Sequence, residues 1–119
     1  MIAVSGSGIA GLAAALAILR NQKPLLLVAG RTPATMLHGG VQIAPNGWAA
    51  LDQLGLGDAA RGRATTLQAI TVRDMRSAAT LASLDLSVSP YASLSRADLA
   101  SLLRAEISAL SGMTDIAAN

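Results

Sequence analysis

The first residues, MIAVSGSGIAGLAAALAILR, carry no charged side chain before Arg20 and are otherwise small and apolar. Ile2 to Ser5 is a short apolar run closed by glycine, the pattern of a buried strand. Ile9 to Asn21 is rich in Ala and Leu, long enough for a helix and apolar almost all round, which predicts that other structure covers it. Asn21 to Pro24 reads as a turn. Leu25 to Ala29 is a second unbroken apolar run, as in parallel strands buried on both faces. Strand, helix and strand within about 30 residues predict a βαβ unit with a right-handed crossover.

The pattern then changes. Gly30 to Gly40 is rich in Gly, Thr and Pro and reads as a loop, and "VQI" leads from it into APNGWAALDQLGLGD. Pro45 suits a first helical position, where a missing N–H costs nothing. Trp48, Leu51 and Leu54 recur every three residues, and Gly55 is placed to close that helix. Leu67 to Met75 and Thr80 to Leu86 are strand-like about a turn at Arg76 to Ala79, predicting an antiparallel hairpin. Ser95 followed by Asp98 resembles a capping box, with Asp in place of the usual Glu. Leu99, Leu102, Leu103, Ile107 and Leu110 then form one helical stripe, with Gly112 as the stop. Met113 to Ile116 reads as the start of a further strand, and there is neither an internal repeat nor a low-complexity linker.

Composition narrows the field. A chain of 119 residues is one domain or part of one. Hydrophobic residues make up 52%, yet there is one Trp, one Tyr and no Phe, which suits helix packed closely on sheet or backbone lying near a ligand. The net charge is +2. Arg61, Arg63, Arg73 and Arg76 lie close in sequence, but no aromatic residues interleave for base stacking, so the pattern favours a solvated loop and hairpin over nucleic-acid binding. Cysteine is absent and there is a single His, which together supply neither a disulfide framework nor a metal site. A reducing cytoplasm fits. The apolar opening lacks the basic n-region of a secretory signal, and Ser5, Gly6, Ser7 and Gly8 interrupt it as a membrane span.

Gly6, Gly8 and Gly11 carry the spacing G-x-G-x-x-G. In a βαβ unit the first serves the tight turn, the second lets a pyrophosphate approach the backbone, and the third lets helix and strand sit close. The helix start then offers unpaired N–H groups to an anion, with the positive end of the helix dipole behind them. The acidic ribose partner expected about 20 residues on is missing, since that place reads Ala29-Gly30-Arg31-Thr32. Two ligands remain open on this evidence: NADP, with Arg31 against a 2′-phosphate, or FAD without its acidic clamp.

GGVQIAPNGWAALDQLGLGD (Gly39 to Asp58) and LSRADLASLL (Leu94 to Leu103) join the glycine motif as three blocks over residues 2 to 110. Together they resemble the FAD-dependent aromatic hydroxylases of the p-hydroxybenzoate and salicylate hydroxylase type. The resemblance implies an α/β fold, a Rossmann-like βαβ FAD-binding unit with an added antiparallel β-hairpin at about 66–92. It implies a flavin-dependent monooxygenase that uses NAD(P)H and oxygen to hydroxylate a small aromatic or similarly electron-rich substrate. It places Gly6, Ser7, Gly8, Ile9, Ala10 and Gly11 at the pyrophosphate. Gly30 falls at the usual acid and Arg31 at the basic residue beside it, Gly40 and Val41 lie near the flavin, and Arg96 contacts the cofactor. No catalytic residue is assigned; His38 lacks a neighbouring carboxylate in sequence and reads as a loop residue. The family's basic residue shortly before its glycine loop has no counterpart around Thr35 to Leu37. Family members are several hundred residues long, so the chain is expected to be an incomplete, N-terminal fragment of an FAD-binding domain. Alone it is expected to bind FAD weakly and catalyse nothing, with the apolar Ile9 to Leu19 helix poorly covered and left for self-association or a partner chain. A small non-catalytic nucleotide-binding module and an NADP-binding reductase fragment are the alternatives.

Overall fold

The computed structural model describes residues 1–29, 38–111 and 117–118. In chain order the elements are β1 (Ile2–Ser5), α1 (Ile9–Arg20), β2 (Leu25–Ala29), β3 (Gly40–Ile43), α2 (Pro45–Gln53) and α3 (Gly57–Arg61). They are followed by β4 (Thr65–Thr66), β5 (Ala69–Arg73), β6 (Thr80–Asp85), β7 (Ala92–Ser95), α4 (Arg96–Ser111) and β8 (Ala117–Ala118).

β1 and β2 are parallel, with Ile2 opposite Leu25 and Ser5 opposite Val28, and α1 is the connection between them. β8 adds to the far side of β2, Val28 facing Ala117, so the sheet runs β1-β2-β8. The third strand therefore exists; Met113 to Ile116, where it was expected, lie outside the described residues. One expectation fails. Leu25 and Leu27 are buried, but Val28 is 40% exposed. Side chains alternate across a strand, and α1 covers only the face to which Leu25 and Leu27 point.

α1 ends where Asn21 donates from Nδ2 to the Ala17 carbonyl at 2.8 Å and Gln22 takes a left-handed φ of 54°. The expectation that this helix would be poorly covered is wrong, because its apolar surface meets α4 and Leu12, Ala15 and Leu16 are buried. Leu12, Ala15 and Leu16 of α1 and Leu99, Leu102, Leu103 and Ile107 of α4 enter one core, joined by Trp48 and Leu51 of α2 and by Leu56. Arg20 and Glu106 tie the two helices at 2.5 Å. Leu103 is 1% exposed at the centre of this packing. Leu103→Ala is expected to cost about 3 kcal/mol, because the cavity persists among close-packed neighbours; urea denaturation measures it.

The second sheet was not legible in advance. β3 pairs antiparallel with β7, Gly40 opposite Ser95 and Ile43 opposite Ala92, and β4 pairs on the other side of β7. These strands have two to four residues, too few for a period of two to stand out. The helix opened by Pro45 is present, and Gly55 follows its end at φ +72°. α3 was not foreseen. It is one short turn, and its Arg61 binds Asp52 through both guanidinium nitrogens, at 2.6 and 2.8 Å, while stacking 4.8 Å above the Trp48 ring. The hydrogen bonds from Arg61 hold the Asp52 carboxyl below its ordinary pKa. Arg63 pairs with Asp98 at 3.3 Å, so two members of the arginine cluster are engaged by carboxylates.

The hairpin forms within its expected limits, Ile70 opposite Leu84 and Val72 opposite Ala82. Asp74 organises its turn, its Oδ1 accepting from the Arg76 and Ser77 N–H groups and the Ser77 hydroxyl, which lowers its pKa. One hairpin face is apolar and open to solvent, with Val72 52% and Leu84 58% exposed.

Candidate functional site at the first crossover

At the end of β1 the chain must leave the sheet and enter α1 within three residues. Gly6 makes that turn at φ +114°, a region that side chains other than hydrogen rarely adopt, and its N–H donates to the Val28 carbonyl at 2.9 Å. Gly11 lies in the first turn of α1 directly against Gly6. A methyl group there would overlap the Gly6 carbonyl oxygen and sit 2.9 Å from its carbon. Gly8 caps the helix at φ −74°, ψ 176°, and its carbonyl accepts from Leu12 N–H at 2.9 Å.

Gly8 differs from the other two. Its φ is one that any residue adopts, and a Cβ built on it has nothing within 4 Å. Neither local conformation nor packing within the described residues calls for glycine there. A ligand approaching there could touch the backbone directly, with no side chain in the way. The N-cap Gly8 gives α1 no side-chain cap and its first turn holds no acid, so first-turn amides, which have no partner inside a helix, could serve an acceptor from outside. Gly8 and Ala10 are exposed, whereas Gly6, Ser7, Ile9 and Gly11 are half-buried at the rim. The arrangement fits a phosphate-bearing cofactor.

Gly40 and Val41 stand on β3, opposite Ser95 and Leu94. A Cβ on Gly40 would lie 3.3 Å from the Ser93 hydroxyl, so a side chain is crowded there. The capping box forms: Asp98 N–H donates to Ser95 Oγ at 3.0 Å, and the Ser95 hydroxyl donates to the Asp98 carboxylate at 2.7 Å. Arg96 is the first residue of α4, and its N–H donates to the Gly39 carbonyl at 3.0 Å. Its side chain is exposed and has no carboxylate partner among the described residues. A cation is poorly placed at a helix N-terminus unless an anion shares the site.

α4 joins these parts. It begins beside Gly39 and Gly40, and two turns later Arg104 donates to the Ser7 carbonyl at 3.4 Å. Only the sequential motif announced the glycine loop; nothing in the sequence announced Arg104. Gly30 and Arg31 follow the end of β2 and lie outside the described residues. His38 is exposed.

A parallel crossover joined by α4 to a small antiparallel sheet is a fold shared with flavin-dependent aromatic monooxygenases, and the chain is similar in sequence to a part of proteins of that class. The relatives are specific. It is 39% identical over 105 residues to the 3-amino-4-hydroxybenzoate 2-monooxygenase PtnB3 of Streptomyces platensis, covering 82% of this chain and 26% of that protein. It is 32% identical over 109 residues to 3-hydroxybenzoate 6-hydroxylase 1 of Aquipseudomonas alcaligenes, covering 86% and 28%. The chain thus spans little more than a quarter of the curated relatives it matches. Among solved structures, 2-methyl-3-hydroxypyridine-5-carboxylic acid oxygenase superposes with a TM-score of 0.81 at 23% identity, over 91% of this chain and 29% of that one. Klebsiella pneumoniae HpxO, solved with FAD and uric acid, gives 0.72 at 25% identity, over 85% and 27%. No protein-family profile matches the chain. Among the described residues no helix is long and apolar enough to cross a membrane.

Proposed function

We propose that this chain is the FAD-binding portion of a flavin-dependent monooxygenase acting on a small aromatic substrate. In this reading the unit is Rossmann-like, residues 1–119 form one N-terminal part of the FAD-binding domain, and the hairpin at about 66–92 is an insertion in it. Gly6, Ser7, Gly8, Ile9, Ala10 and Gly11 hold the pyrophosphate through backbone amides. Gly40 and Val41 lie beside the flavin, and Arg96 contacts the cofactor. Gly30 and Arg31 are assigned to the adenosine end by their place directly after β2. The single observation that carries this reading is Gly8, a glycine that neither conformation nor packing accounts for, beside uncapped amides.

When bound, FAD supplies the redox chemistry by which oxygen hydroxylates a ring, with NAD(P)H as the reductant. The chain's own residues bind and orient it. The proposed setting is the cytoplasm, and the exposed apolar hairpin face is proposed to be covered by further polypeptide, either a second copy or a partner. The portion alone is expected to bind FAD weakly. Gly30 stands where a carboxylate would add a charge-assisted hydrogen bond, a difference of about 1.5 to 3 kcal/mol.

Titration with FAD, followed by quenching of flavin fluorescence, tests the proposal, with NADP as the competing ligand. FAD is expected to bind, and Gly30→Glu is expected to tighten it by about tenfold or more. Binding that depends on a 2′-phosphate, with no response to FAD, would overturn the proposal in favour of a reductase.

A further inference from the structure

The three arginines that tie the core elements each meet a carboxylate: Arg20 with Glu106, Arg61 with Asp52 and Arg63 with Asp98. Arg104 does not. Its guanidinium reaches across from α4 to the glycine loop, where Nη2 donates to the Ser7 carbonyl, and among the described residues it forms no ion pair. At 3.4 Å the contact is long for a hydrogen bond and is chiefly an attraction between a full positive charge and a carbonyl dipole.

The position of that carbonyl matters. The Ser7 C=O and the Gly8 N–H belong to one planar trans peptide, so they point in opposite directions. A charge that draws the Ser7 oxygen toward α4 turns the Gly8 N–H away from α4. Gly8 is exposed, and its N–H donates to no carbonyl among the described residues. Gly8 is also the residue with free space on its Cα. Glycine residues on both sides of Ser7 leave this peptide with little intrinsic preference of its own.

We infer that Arg104 is a positioning residue for the anion cradle: by holding the Ser7 carbonyl it fixes the Ser7–Gly8 peptide with the Gly8 N–H directed at the cofactor phosphate. The inference rests on the FAD reading for the identity of the anion, but the orientation of the peptide is a property of the chain itself. In this role Arg104 works on the Ser7–Gly8 peptide and not on the ligand. It acts through the backbone, so any positive side chain of similar reach serves.

Two measurements on the full chain decide it. The first is the Gly8 amide resonance in the 1H–15N spectrum without ligand; the second is the FAD dissociation constant. Arg104→Met is expected to displace the Gly8 resonance and to weaken FAD about tenfold, with the melting temperature of the ligand-free protein nearly unchanged. Arg104→Lys is expected to return both signals most of the way. An unmoved Gly8 resonance in Arg104→Met, or FAD affinity within twofold of the parent, overturns the inference. So does a lysine variant as defective as the methionine one. Should Arg104→Met not fold, Arg104→Gln is judged by the same criteria. A parent chain that binds no FAD removes the functional proposal, while the Gly8 resonance still decides the role of Arg104.

Discussion

Gly8→Val is expected to leave the fold standing and to abolish cofactor retention. The backbone at Gly8 is extended, with φ −74° and ψ 176°, which a β-branched residue accepts, and its Cβ would enter open space. The cost to the ligand-free protein is that of a poorer helix cap, about 1 kcal/mol or less. The cost to binding is far larger. A branched side chain on the outer surface of the turn fills the space in which a phosphate reaches the amides of Ile9 and Ala10, and FAD affinity is expected to fall at least about a hundredfold, some 2.7 kcal/mol. Thermal melting without ligand and a fluorescence titration with FAD separate the two effects. Undiminished FAD binding in this variant would remove the first crossover as the cofactor site.

Gly11→Ala is expected to do the reverse, destroying stability rather than occupying the ligand's place. Its methyl would overlap the Gly6 carbonyl oxygen, and Gly6 cannot retreat because its own N–H is bonded to Val28 at 2.9 Å. Backbone on one side and the buried residues Leu12, Ala15 and Leu16 on the other leave α1 no easy direction in which to shift. Overpacking of this kind costs about 3 kcal/mol or more, well above the helix-propensity gain of about 1 kcal/mol from replacing Gly by Ala. The midpoint of urea denaturation reports it, and a variant as stable as the parent would show that α1 and β1 are not locked together at this point. The two substitutions lie three residues apart in one motif, yet one acts on the ligand and the other on the fold.

The parts of the site that rest on local rules could be seen in the chain. A φ of +114° at Gly6 needs glycine, the helix after it needs a run of helix formers, and β2 needs a continuous apolar segment; each of these is written in consecutive residues. Ser95 and Asp98 announced the start of α4 in the same way, three residues apart. The strands β3, β4 and β7 could not be seen, because Gly40–Ile43, Thr65–Thr66 and Ala92–Ser95 have no periodicity of their own and become strands only by pairing. The open face of β2 escaped for a related reason: an apolar run states that burial is tolerated, not that a second layer lies against it.

By itself the sequence determined local conformations: where the chain turns on glycine and where α1, α2 and α4 begin. Tertiary structure decided what stands around them. It laid α4 across α1 and brought Arg104 to Ser7 from 97 positions away, because contacts between distant segments depend on how whole faces pack and leave no mark on neighbouring residues.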